Sequence, residues 1–258
     1  MKELSIKQTI SIALETGKVM LQNGAETYRV EETIEKMISS KHNSEVDVFV
    51  ISTGIIVSTE INDEPYTIVE RIPSSSIDLE TISRANSFSR LFTNEDMSLE
   101  DATLILDGIK NPPKFPLSIR YIFSGMAGGF FVLLFQGNFQ EFIMAYIASV
   151  LTVLLFDKLT KLSLNFFIKN IFGGFTAATT GLLLVLLFEF FGIHGDYNKV
   201  IVGPLMTLVP GVSLTNGIRD LISGELIAGN AKMMEALFIA IALAFGVGMV
   251  LQIAINII

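Results

Sequence analysis

The 258-residue chain has no cysteine, no tryptophan, two histidines and seven prolines. Without cysteine there can be no disulfide, thiolate nucleophile or thiolate-bound metal, which fits a reducing compartment. The first half has a single histidine, His42, and neither a His-x-x-x-His pair nor a carboxylate cluster at metal-ligand spacing occurs there. No metal and no cofactor are therefore expected. The run Ser74-Ser75-Ser76 has no base beside it and reads as a turn, and no nucleophile–base pair is evident, so no catalytic residue is assigned. Glycine-rich stretches lack the Lys-Ser/Thr that completes a phosphate-binding loop, which argues against ATP drive within this chain. The polar start MKELSIKQT is not a cleavable signal peptide, because no apolar run follows its lysines.

Charge is scarce in the second half. The net charge of −8 is carried by the residues before 117, while the remainder is neutral and sparsely charged. An acidic first part argues against nucleic acid as a partner, since phosphate neutralisation needs clustered Lys and Arg. What the second half has instead is length in apolar runs. A bilayer core takes about 20 mostly apolar residues per helix. Five stretches qualify: 117–135, 139–156, 171–191, 200–221 and 233–258. Lys110, Lys114, Arg120, Lys158, Lys161, Lys169, Arg219 and Lys232 fall on one side of these spans, against Lys199 on the other. Basic loops stay in the cytoplasm, so the N-terminus is expected there and the C-terminus outside, in a multi-pass protein of the cell membrane. Small residues on the first span (Ser124, Gly125, Gly128, Gly129) and on the third (Gly173, Gly174, Ala177, Ala178, Gly181) predict close helix packing.

The first 116 residues read as a cytoplasmic α+β domain. Helical periodicity covers 6–22 and 25–40, and Gly24 interrupts it. The runs 46–52, 54–60 and 66–72 are β-branched and aromatic, separated by Thr53-Gly54 and by NDEP, and predict a three-stranded antiparallel meander. Helices follow at 79–92 and 98–109, and NPPKFP (111–116) is the linker to a membrane domain over 117–258. The expected fold is thus five transmembrane helices preceded by a cytoplasmic domain with a small antiparallel sheet. Arg29 lies three residues from both Glu26 and Glu32. It reads either as a surface ion-pair ladder or as a gate or docking surface with Glu26.

One apolar stretch is polar where it should not be: PGVSLTNGIRDLISGEL, 210–226. Pro210 removes a backbone donor and Gly211 loosens the chain, so a new helix can begin there with its amides free to meet a carboxylate. Pro210, Gly211, Ser213, Thr215, Asn216 and Arg219 are the expected substrate-binding residues. Asp220, Glu225, Asp157, Glu189, Glu26 and Arg29 are expected to gate or couple, although Asp157 beside Lys158 reads equally as an interfacial ion pair. A kinked structural helix with Arg219 reaching lipid headgroups is the alternative.

The stretch PGVSLTNGIRDLISGE resembles a signature of the threonine/serine exporter (ThrE-like) family, and LQNGAETYRVEETI, 21–34, resembles that family's N-terminal signature. The resemblance covers essentially the whole chain. It implies an exporter of threonine, serine or small dicarboxylates. With ATP drive argued against, the expected reading is a subunit of a secondary-active exporter of small carboxylate-bearing metabolites, threonine and serine foremost, driven by the proton gradient. The resemblance further implies the split arrangement, in which a separate small multi-span membrane subunit completes the transporter. The odd number of spans, with no internal repeat, points to a homo-oligomer or to such a partner. A dicarboxylate (succinate-type) exporter subunit and a membrane-anchored enzyme with a catalytic cytoplasmic domain are the alternatives.

Overall fold

The computed structural model describes residues 4–73, 75–110, 112, 115–162 and 164–255. Ser74 of the expected turn, residues 111, 113 and 114 of the expected linker, and Ile258 at the end of the expected last span lie outside the described residues. The chain divides into two compact units, one of Met1–Pro113 with Val212–Met234, the other of Lys114–Gly211 with Glu235–Ile258.

In the first unit, α1 (Ile6–Gln22) opens with a capping box in which the Ser5 side chain accepts from the Gln8 amide and Gln8 reaches back. α2 (Thr27–Ser39) begins two residues later than its periodicity suggests, because residues 23–26 form the turn described below. β1 (Val46–Ile51), β2 (Gly54–Ile61) and β3 (Glu64–Arg71) pair antiparallel in the order β1-β2-β3, with Val48 opposite Val57 and Val57 opposite Ile68. Asn62 and Asp63 both take left-handed backbone (φ 56° and 62°), the conformation a two-residue hairpin between right-twisted strands requires. α3 (Leu79–Asn94), capped by Asp78, and α4 (Leu99–Lys110) follow. Alternate residues of β2 and the inner faces of α1, α2 and α3 close one apolar core: Ile10, Met20, Ile34, Met37, Ile55, Val57 and Phe92 are all essentially inaccessible. Gly17 lets α2 approach α1, since a Cβ there would meet Ile34 at 2.5 Å.

In the second unit, α5 (Leu117–Leu134), α6 (Phe139–Thr160) and α7 (Phe166–Phe190) are joined by short turns, and α8 (Tyr197–Met206) contains Pro204. α9 (Gly211–Ile222) and α10 (Leu226–Ile255) complete the chain. All but Gly211 of α9, with α10 up to Met234, belongs to the first unit; the remainder of α10 belongs to the second. Among the described residues, α5, α6, α7 and α10 are long and apolar enough to cross a membrane. The interrupted pair α8 and α9 makes a fifth candidate if counted as one span. The protein is therefore mostly helical, with four to five candidate spans and one three-stranded antiparallel sheet. The last span starts at Leu226, seven residues before the apolar run, because the helix accepts Asn230 and Lys232 on its way in.

Small residues are the inner seams of the second unit. Gly128 is pressed against Ser149 and Gly203, Gly129 against the Phe142 ring, Gly174 against the Leu243 backbone and Gly181 against Ile201, so a Cβ at each would collide with the neighbouring helix. Leu183, Phe190 and Phe245 stay more than half exposed, as residues facing hydrocarbon would. Glu141, 3 % exposed, caps its own helix through Asn138 and accepts from the Asp196 amide at 2.9 Å, tying two loops together.

Candidate functional site

Two turns of the same kind build the site. α1 ends in a Schellman motif: Gly24 takes φ 91°, its amide donates to the Leu21 carbonyl, and the Ala25 amide donates to that of Met20. α9 ends identically. Gly224 takes φ 95° and donates to Leu221, while the Glu225 amide donates to Asp220. The first turn aims backbone carbonyls out of residues 24–25; the second returns the chain so that α10 runs back along α9. Gly217 and Gly229 allow that close return. A Cβ on Gly229 would meet the Gly217 carbonyl at 2.9 Å, and one on Gly217 would meet Lys232 at 3.2 Å.

The result joins residues some 190 positions apart. The Asn216 amide donates to the Gly24 carbonyl at 2.7 Å. Asp220, wholly inaccessible, accepts from the Thr27 backbone amide at 3.1 Å through Oδ1 and from Lys232 at 2.8 Å through Oδ2. Lys232 also donates to the Ala25 carbonyl at 3.2 Å. The Glu26 side chain does not cap α2, whose first amide is capped instead by Asp220. Glu26 meets Arg219 at 2.8 Å and Arg29 at 3.4 Å. Burial pushes the Glu26 carboxyl up, but a backbone amide and the Arg219 and Arg29 guanidinium groups outweigh it and hold the group below its ordinary value. Asp220 and Lys232 are buried charges in a paired, hydrogen-bonded setting, whereas Arg219 and Arg29 sit at the rim, 58 % and 43 % exposed.

Of the expected substrate-binding residues, Asn216 and Arg219 are thus held by residues 24–26. Ser213 and Pro210 are half-buried, and Gly211 and Thr215 are exposed. Of the expected gating residues, Glu26, Arg29 and Asp220 converge here, and half-buried Glu225 forms the adjoining turn. Glu32 pairs with Lys36 at 3.1 Å rather than with Arg29. Asp157 lies in the second unit and pairs with Arg120 at 2.9 Å, and Glu189 is exposed near the end of α7. Two members went unassigned from the sequence. Lys232 is a lone cation leading into a long apolar helix, which is itself a signal of a partner. Glu31 accepts from the Val50 amide at 2.7 Å, and its carboxyl is pushed up to about 7 by burial, with Glu225, Glu35 and Asp220 adding to the rise. Among the described residues no group of His, Asp and Glu could hold a metal ion.

Four to five candidate spans among the described residues point to a multi-pass membrane protein. The chain belongs to the ThrE family: the family model described as "Putative threonine/serine exporter" matches residues 11–254. It is 21 % identical to the threonine/serine exporter of Corynebacterium glutamicum over 95 % of this chain and 51 % of that protein. It is 20 % identical to a "Probable threonine/serine exporter" of Mycobacterium tuberculosis, over 95 % of this chain and 46 % of that one. It is also 21 % identical to the "Probable succinate transporter subunit YjjP" of Escherichia coli, over 94 % of this chain and 93 % of that one. The chain therefore spans about half the length of the two exporters and nearly all of the YjjP protein. These relatives are named as exporters and a transporter subunit, not as enzymes. No solved structure matches the chain significantly.

Proposed function

We propose that the chain is a subunit of a secondary-active exporter of small carboxylate-bearing metabolites, of the threonine/serine type, driven by the proton gradient. A dicarboxylate such as succinate is the alternative that the YjjP name brings. Residues 1–116 lie in the cytoplasm, the membrane part begins at about residue 117, and the C-terminus is outside. The chain works as a homo-oligomer or with a second membrane subunit, as the word "subunit" in the name of the YjjP relatives suggests for them. The observation that carries the proposal is the meeting of the two signature stretches in one buried network. Residues 24–29 clasp α9 through Asn216, Arg219 and Asp220, so the network is a gate whose opening releases α9.

Efflux of preloaded labelled threonine and serine from cells expressing the chain with its genomic neighbours tests this. Wild type should accelerate efflux over empty membranes. Asn216→Ala and Asp220→Asn should lower the rate about tenfold or more at equal membrane abundance, since each removes a hydrogen bond in the network worth about 1–3 kcal/mol. Arg219→Lys should restore Arg219→Ala only in part, because an ammonium lacks the guanidinium fork. Wild-type rates in all of these variants would overturn the gate.

A further inference from the structure

The second unit holds a separate polar cavity of about 280 Å³ at the end of the bundle where α5 and α7 begin and α6 and α8 end. Arg120, Ser124, Asn170 and Thr207 line it, with Phe156 and Leu208 as an apolar wall. Its volume suits a small metabolite, below the range of roughly 300–1,000 Å³ typical of drug-sized ligands. Thr207 and Leu208 follow the end of α8 and precede Pro210, so the cavity borders the interruption in the apolar stretch.

The hydrogen-bonding chemistry of the lining is asymmetric. Arg120 can only donate; one of its N–H groups goes to Asp157 at 2.9 Å, and its side chain is 54 % exposed. Ser124 has one proton, spent on the Arg120 carbonyl at 2.8 Å, and Thr207 spends its own on the Pro204 carbonyl at 2.7 Å. Both hydroxyls therefore face the cavity as acceptors. Asn170 donates one N–H to the Phe166 carbonyl at 2.9 Å, which leaves its amide oxygen to accept and its second N–H to donate. Thr207 also lies at the C-terminal end of α8, where the helix dipole favours positive charge. The Arg120 guanidinium thus suits a carboxylate, and the Ser124 and Thr207 oxygens suit an ammonium. Asp157 holds the guanidinium in place and makes the charge of the pair zero; its second carboxylate oxygen is buried without a hydrogen-bond partner.

We propose that this cavity binds a zwitterionic α-amino acid, its carboxylate on Arg120 and its ammonium against the Ser124 and Thr207 oxygens, and that it discriminates against dicarboxylates. A dianion would bring its second carboxylate against the hydroxyl acceptors and near Asp157, where like charges repel. The proposal rests on the exporter reading above and gives that exporter its substrate class. Asp157 is a positioning residue, acting through Arg120.

The test is efflux of labelled L-threonine and labelled succinate from loaded cells, with equal membrane abundance checked for every variant. Wild type should export threonine at least tenfold faster than succinate, with serine competing and N-acetylthreonine not competing. Arg120→Gln should lose threonine efflux by tenfold or more, and Arg120→Lys should recover part of it. Lys158→Gln, an exposed cation one residue from Asp157 and outside the cavity, should behave as wild type. Asp157→Asn leaves the cavity with net positive charge and should shift the threonine-to-succinate ratio toward succinate, an effect that mere loss of folding would not produce. Wild-type threonine efflux in Arg120→Gln, or equal export of both labels by wild type, would overturn the cavity assignment and leave the exporter reading standing. Efflux of neither label above empty membranes would overturn both.

Discussion

Replacing Lys232 by Met keeps most of the apolar stem and deletes the charge, leaving the Asp220 carboxylate with the Thr27 amide but without its counter-ion. Asp220 is fully inaccessible and the Lys232 side chain only 13 % exposed, so solvent screens little of the loss. Removing one partner of a buried pair costs about 3–5 kcal/mol. At about 2–4 °C per kcal/mol for a chain of this size, that is a fall in Tm of about 6–20 °C. Asp220→Asn alone should cost less, because its amide oxygen still accepts from Thr27 and Lys232 retains the Ala25 carbonyl. The double variant buries no unpaired charge and should be more stable than the sum of the single losses predicts, by about 2–3 kcal/mol. Far-UV circular dichroism melts of the purified full chain in detergent read all three variants. If Lys232→Met melts with the wild type, or the two substitutions simply add, the buried pair is not what joins α9 and α10 to residues 24–27.

Glu31 gives the first unit a pH dependence near neutrality. Its folded carboxyl is held up to about 7, so between the ordinary value near 4.5 and 7 the folded state keeps a proton that the unfolded chain releases. Stability should therefore fall as pH rises through that window and level off above it. The total should be well under the ~3.4 kcal/mol of an unscreened shift, because the side chain is only half-buried. Glu31→Gln should flatten the slope in Tm measured from pH 4.5 to 8. Topology is directly accessible in this cysteine-free background. A single cysteine at 194 should label from outside intact cells and one at 161 should not; the reverse pattern would invert the orientation.

The sheet was legible because alternating β-branched runs were broken at Thr53-Gly54 and at Asn62-Asp63. The second pair makes its hairpin turn, whereas the first turn falls at Ser52-Thr53 and Gly54 opens β2. The small-residue seams were legible for a similar reason: at Gly128 and Gly174 the local spacing already states how close a neighbour must come. Periodicity could not show α9 grouped with the sheet, since a pairing between residues 27 and 220 leaves no local repeat. Each half was nonetheless conspicuous alone, as glycine turns and charges in unexpected places. Asp157 illustrates the same limit: its sequence neighbour Lys158 suggested one partner, and the approach of α5 to α6 supplied Arg120 instead.

That α2 receives its first cap from Asp220 has a consequence for how the protein is made. Residues 4–110 emerge from the ribosome long before the residues that finish their fold. At about 5–20 residues per second, roughly 10–40 s separate synthesis of Thr27 from that of Lys232. Throughout that interval Glu26 lacks Arg219, the Gly24 carbonyl lacks Asn216, and the start of α2 is open. A nascent chain thus carries an unsealed first unit while α5 to α8 are being synthesised. The network can close only in a chain whose α9 and α10 have been made and have turned at Gly224.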